Sequence, residues 1–342
     1  MTADILEVIL KAAQRCVQQH PVLVLGSGAS ASYGLRGMPA LAQHLVTNVS
    51  VANAAEEDIW DSIKAELLSD KGLEETLLRY STPAPLVRQI VWKTWEAIAE
   101  DDLVLMYKAS RRSVELSLSR MLQGMFRSTH KVVSIVTTNY DRVAEYACDL
   151  AGYSHLTGFT QGIIRTRRLD EHITYIRNQE QRRVQIWKVH GSLDWFMDDN
   201  DVPVCLPLST KVPDGFSPLI VTPGMSKFER THEEPFRSAI QGADAAINRA
   251  NGIICIGYGF RDTHVQPKII ERCRNGNVPI VVLSKELTRE THDFLKRAGG
   301  SSWLALEECG SGTRCFSPNH LDGVVIEQRD IWSLQGFNES VF

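Results

Sequence analysis

Val22-Leu-Val-Leu25 runs directly into Gly26-Ser-Gly-Ala-Ser30, and an apolar helical spacing at Leu41, Leu45 and Val49 follows. Four apolar residues in succession suit a short strand buried on both faces. Strand, small-residue turn and helix make the opening unit of a doubly wound α/β fold, and they set the turn at the carboxyl end of a strand, where such sheets bind ligands. Upstream, residues 4–18 read as a helix with Ile5, Val8, Ile9 and Ala12 on one face, stopped by His20-Pro21.

Downstream, residues 51–130 contain no good strand, and Val114, Leu118, Met121, Leu122 and Met125 mark an apolar helical stripe. This stretch is expected to be a helical insertion packed on the core. Strands resume at Val132–Val136, Val184–Val189, Ile253–Ile256 and Ile280–Leu283, with helices expected after 141, near 235–250 and over 286–296. The expectation is one domain over 1–342, with the insertion at 51–130 and a C-terminal extension at 300–342 whose elements the pattern leaves open.

The 342 residues, 43% hydrophobic and 23% charged, bury a full core and exclude both disorder and a small disulfide scaffold. With 37 Lys and Arg against 41 Asp and Glu, the net charge of -4 offers no general attraction to a polyanion. Arg165, Arg167, Arg168, Arg177, Arg182 and Arg183 form the one basic concentration, read as a solvated or subunit-facing surface in preference to a nucleic-acid contact. The seven cysteines have no framework spacing and read as reduced thiols. No apolar run reaches the ~18 residues of a membrane span, and Met1-Thr-Ala-Asp4 lacks the positive start of a signal peptide. A cytoplasmic location without membrane attachment is expected.

Polar or glycine-rich segments follow four of these strands: 26–30, 137–141, 190–195 and 257–264. Together they suit a nucleotide-sized site. Gly26 and Gly28 permit a tight turn and close backbone approach to a pyrophosphate. The usual dinucleotide fingerprint is absent, since Ala31 takes the place of its third glycine and no acidic residue occurs from Asn48 to Ala55. An Asn139 amide offers one donor side and one acceptor side to a ribose hydroxyl or a water. His190 is a residue able to accept a proton near neutral pH. Asp141 reads equally as a ribose contact and as the cap of the following helix. Asp262 and His264 have the residue types of a metal pair, but no other ligand lies at useful spacing, so no metal site is expected.

At these residues the sequence resembles the sirtuin superfamily over roughly 20–285. Gly26-Ser-Gly-Ala-Ser30 with Gly34 and Pro39 is similar to its first nucleotide-binding motif. Thr137-Thr-Asn-Tyr-Asp141 is similar to its central Thr-Gln-Asn-Ile-Asp motif, and His190-Gly191 to its catalytic His-Gly. The resemblance implies a sirtuin-like, Rossmann-type doubly wound parallel sheet that takes NAD+ as substrate. It implies Asn139 and His190 as catalytic residues. Gly26, Ser27, Gly28, Ala29, Ser30, Tyr33, Pro39, Thr138, Asp141, Gly257, Tyr258 and Phe260 would then line the nucleotide. The deacylases carry a four-cysteine zinc module after the catalytic histidine; this chain has Trp195-Phe196 and a Pro-rich loop instead, so no zinc is expected.

His190-Gly-Ser-Leu-Asp-Trp195 and Gly257-Tyr-Gly-Phe-Arg-Asp-Thr-His264 look like the sirtuin-like NAD hydrolases of bacterial anti-phage defence, above all the partner of a HerA-type ATPase or helicase. What this implies is NAD+ glycohydrolase activity, yielding nicotinamide and ADP-ribose and depleting cellular NAD. It also implies a homo-oligomer and contact with nucleic acid only through the complex. An NAD-dependent protein deacylase and a non-catalytic NAD or ADP-ribose-binding regulatory subunit are the alternative readings.

Overall fold

The computed structural model describes residues 2–51, 54–69, 71–168, 173–222, 233–276 and 278–342. The helices are α1 (Thr2–Gln18), α2 (Gly28–Ala31), α3 (Met38–Asn48), α4 (Ala54–Leu67), α5 (Leu73–Arg79) and α6 (Ala84–Ser110). They continue with α7 (Ser117–Met125), α8 (Val143–Ala151), α9 (Phe236–Arg249), α10 (Val265–Gly276), α11 (Arg289–Ala298) and α12 (Leu334–Val341). The strands begin with β1 (Val22–Leu25), β2 (Val132–Thr137), β3 (Ser154–Leu156), β4 (Arg165–Thr166), β5 (Tyr175–Ile176), β6 (Gln179–Glu180), β7 (Arg183–Lys188) and β8 (Gly191–Asp198). The rest are β9 (Pro203–Cys205), β10 (Phe216–Ile220), β11 (Ile253–Ile256), β12 (Ile280–Ser284), β13 (Trp303–Cys309), β14 (Gly312–Ser317) and β15 (His320–Ile326).

All five expected core strands lie in one sheet, of order β15-β14-β13-β12-β11-β1-β2-β7-β3. From β13 to β3 every neighbouring pair is parallel. The order reverses at β1, which has β2 on one side and β11 on the other, so the ligand crevice of an open α/β sheet falls at its carboxyl end. The strand alternation distributes side chains to two cores. Leu23, Leu25, Ile254 and Ile256 enter one, and Val22, Val24, Ile253 and Cys255 the other. Each fully buried aliphatic side chain contributes about 1.5–3 kcal/mol.

Helices α4 to α7 fall within residues 51–130 and share the first core through Trp60, Trp95, Leu118 and Leu122. Pro85 falls in the first turn of α6, where a missing N–H costs nothing. The Trp95 indole donates to the Leu193 carbonyl (2.8 Å), tying the insertion to the segment after His190. Beyond 300, β13 adds parallel to β12, and β14 and β15 turn back antiparallel, so the extension widens the sheet.

Strands β8, β9 and β10, between β7 and α9, join the earlier β4 in a second sheet, antiparallel, in the order β10-β8-β9-β4. Its own small core holds Phe159, Trp195, Cys205, Leu219 and Phe236. The basic concentration expected on a surface is largely used internally. Arg165 pairs with Asp194 at 2.7 Å, Arg167 with Glu234 at 3.3 Å, and Arg183 with Glu180 at 2.5 Å. Arg182 donates to the Ser128 carbonyl at 3.1 Å. Local charge counting overlooked Asp194 and Glu234, which folding brings to Arg165 and Arg167.

Candidate functional site

The first turn is held by backbone contact. Gly26 N–H donates to the Ile256 carbonyl and Gly28 N–H to the Gly257 carbonyl, both at 3.1 Å. Gly257 has φ +57°, and a Cβ there would lie 2.3 Å from Ala29 N and Gly28 C. Methyls on Gly26 or Gly28 would meet Gly257 at 2.4 and 2.7 Å. These glycines therefore let two strand-end loops touch, a reason that spacing alone does not reveal. The Ala29 and Ser30 amides bond back to Gly26 and Ser27 carbonyls. A diphosphate on this turn would thus rely on exposed Ser27 and on the neighbouring loops. Helix α2 is a single turn and adds little dipole.

Asn139 is fastened to the same turn. Its backbone N–H donates to Thr137 Oγ1 (3.0 Å), and the Thr138 N–H donates to the Leu25 carbonyl at 3.3 Å. The Asn139 amide donates to the Gly26 carbonyl (2.9 Å) and to Ser30 Oγ (3.1 Å). Both donor hydrogens are thereby engaged. What Asn139 offers a substrate is its acceptor oxygen, not the donor–acceptor pair expected from the residue type.

Asp141 is buried and its Oδ1 accepts from the Val143 N–H at 3.1 Å, a cap on α8. Burial pushes its carboxyl up to about 6, an effect that Lys188 opposes only in part. Lys188, fully buried, donates to the Asp141 carbonyl and to Glu145 Oε1 (3.0 Å). Burial works against its charge, but Glu145, Asp194 and Asp141 outweigh burial and raise the ammonium. Burial would likewise raise Asp194; Arg165, Arg142 and Lys188 overcome it and hold the carboxyl at about 2. Asp102 completes this ionic layer by accepting from Arg142 Nη2 (3.0 Å) and the Tyr146 hydroxyl (2.6 Å). The layer underlies the site, and its sequence signal was slight: a lysine at the end of a buried strand and an aspartate between Leu193 and Trp195.

His190 sits level with Asn139. Thr137 and Lys188 are register partners on parallel neighbours β2 and β7, and each candidate lies two residues further on. The turn at Gly191, φ +84°, starts β8, and the His190 carbonyl accepts from the Val221 N–H at 2.9 Å. His190 Nε2 lies 2.9 Å from Asp262 Oδ2, with His264 edge-on to the His190 ring at a centroid distance of 5.9 Å. The expectation that no further ligand approaches Asp262 and His264 is corrected here. His190 does, and the three donor atoms lie within 4.8 Å of one another. Chain spacing had hidden this because the third residue arrives from β7, across the sheet.

The remaining candidates divide. Ser27, Gly28 and Pro39 are exposed, Ala29 half-buried, and Thr138 half-buried between Leu25 and Asn139. The Tyr33 hydroxyl accepts from the Ser117 N–H (2.9 Å), which links the turn region to α7. Tyr258 and Phe260 turn their rings inward, where Phe260 stacks on Phe294 at 4.3 Å.

Residues 133–298 match the family model of the SIR2-like domain, and over that span the fold is SIR2-like α/β with a mostly parallel sheet. No curated protein is significantly similar to the chain in sequence. Among solved structures, a Sir2 homologue in complex with NAD is 14% identical, with 87% of each chain covered and a TM-score of 0.46. A Sir2 structure with a deacetylated p53 peptide and 3′-O-acetyl-ADP-ribose is 11% identical, covering 97% of this chain and 96% of that one, with a TM-score of 0.44. A Sir2 homologue bound to ADP-ribose is 16% identical, with 83% and 87% covered and a TM-score of 0.42.

Proposed function

We propose that this SIR2-like chain hydrolyses NAD+ at the bond between nicotinamide and ribose. The observation that supports it most is the placement of Asn139 and His190 at one level beyond adjacent parallel strands, beside the glycine turn after β1. The nicotinamide of NAD+ is a cationic leaving group and needs no general acid. Water supplies the oxygen that bonds to C1′, nicotinamide departs with the electron pair of the broken bond, and one proton is released. The acceptor oxygen of Asn139 suits a hydrogen bond from that water or from a ribose hydroxyl. His190 takes the proton as general base, help that is commonly worth 10²–10⁴-fold, as an order of magnitude.

The proposal extends to context. His190–Trp195 and Gly257–His264 resemble the hydrolases of anti-phage defence, so NAD loss during infection, self-assembly and activation by a HerA-type ATPase partner are part of the reading. The test is incubation with NAD+, with and without an acetylated peptide, quantifying nicotinamide and ADP-ribose. Peptide-independent ADP-ribose supports hydrolysis. O-acyl-ADP-ribose made only with peptide would replace it with a deacylase, and binding without turnover in the assembled complex would replace it with a sensor.

A further inference from the structure

We infer that Asp262 is a positioning residue for His190, a role resting on the hydrolase reading above. The two oxygens of Asp262 do different work. Oδ1 accepts from the His264 N–H (2.9 Å) and the Val265 N–H (2.8 Å), which caps α10 and fixes the carboxylate. Oδ2 lies 2.9 Å from His190 Nε2 and 4.0 Å from His264 Nδ1. The His190 and Asp262 side chains are only 10% and 7% exposed, so water screens their attraction weakly.

A cap alone does not require an aspartate, because Asn, Ser and Thr serve as well. What the carboxylate adds is a formal charge against one ring nitrogen. That charge, 2.9 Å from Nε2, favours a proton there and leaves the lone pair on Nδ1, the ring nitrogen away from Asp262. When the attacking water bonds to C1′ and nicotinamide leaves with its electron pair, the water's proton passes to Nδ1. The imidazolium so formed lies against Asp262, which stays ionised, and the proton then returns to solvent. This is the base-and-orienter arrangement of nucleophilic enzymes, assembled from two loops of a parallel sheet.

The experiment uses Asp262→Asn, which keeps the cap oxygen and the side-chain shape while removing the charge. NAD turnover in the full chain, or in its activated complex, should fall about 10²–10⁴-fold with NAD affinity little changed. Side-chain ¹⁵N spectra of histidine-labelled protein, with His190 assigned by His190→Gln, should show the proton on Nε2 in the parent and the opposite tautomer in Asp262→Asn. The spectra need no NAD, so a chain that fails to hydrolyse NAD would sink the hydrolase reading while the tautomer still tests the coupling. An unchanged tautomer with unchanged turnover in a folded Asp262→Asn would overturn the proposal. So would stoichiometric zinc in the parent that Asp262→Asn loses, since His190 would then be a metal ligand with Asp262 and His264.

Discussion

At the scale of single residues, Asn139, His190 and Asp141 have separable duties. Asn139→Ala removes the acceptor and should lower ADP-ribose production about 10²–10³-fold, the cost of an oriented transition-state hydrogen bond. His190→Ala should lower it ~10²–10⁴-fold. Both variants should stay folded, Asn139→Ala with a lower unfolding temperature because its donations to Gly26 and Ser30 are lost as well, and their losses of activity should not add if they share one water. Turnover close to the parent in Asn139→Ala would remove the central residue of the mechanism. Asp141 acts through pH. Its carboxyl sits at about 6 in the fold, above its ordinary value of 3.8, so its stabilising contribution is complete below about pH 4 and is lost as pH rises through about 6. Asp141→Asn keeps an acceptor for the Val143 N–H and cannot ionise. Chemical unfolding from pH 4 to 7 should therefore show the variant gaining on the parent as pH rises, by on the order of 3 kcal/mol. Parallel curves would contradict this account. The residue type alone could not separate cap from ribose contact; in the fold Oδ1 takes the Val143 N–H at the start of α8.

At the scale of elements, the site depends on contacts between strand ends and on charges sealed beneath them. Gly257→Ala places a methyl 2.3 Å from the backbone of Gly28 and Ala29 at a positive φ, so the two loops must part. A loss of at least ~1–3 kcal/mol is expected, measured by urea unfolding, together with loss of NAD binding by calorimetry. A variant that is stable and binds normally would show that loop contact is dispensable. Between α8 and β7, Lys188→Met leaves Glu145 buried without its cation and should cost about 3–5 kcal/mol. Adding Glu145→Leu should restore most of that loss, because an apolar pair of similar volume needs no hydration. If the single change is harmless in denaturant melts, the pair contributes no net stability.

At the scale of the whole molecule, the SIR2-like reading anticipates assembly: light scattering of the chain should show an oligomer, and co-expression with an ATPase neighbour should give a larger complex with faster NAD loss. A monomer that hydrolyses NAD fully alone would remove the need for both. The parallel sheet was legible in the sequence because a strand buried on both faces must be locally apolar. Val22–Leu25, Ile253–Ile256 and Ile280–Leu283 announce themselves that way, Val132–Val136 by its β-branched run, and Val184–Val189 only by an imperfect alternation. Asn139 and His190 were legible as candidates because each follows such a strand. The antiparallel widening of the sheet beyond 300 was not, since β14 and β15 mix polar and apolar residues as a loop does. By itself, then, the sequence determined the sheet-forming segments and the residues at their carboxyl ends, properties set by local composition. Only the tertiary structure decided that Asp262 meets His190, that Gly257 packs on Gly28, and that Lys188 and Arg165 are spent on the buried acids Glu145 and Asp194. Each of these pairs residues far apart along the chain, and the burial that gives such a pair its strength exists only once the strands are side by side.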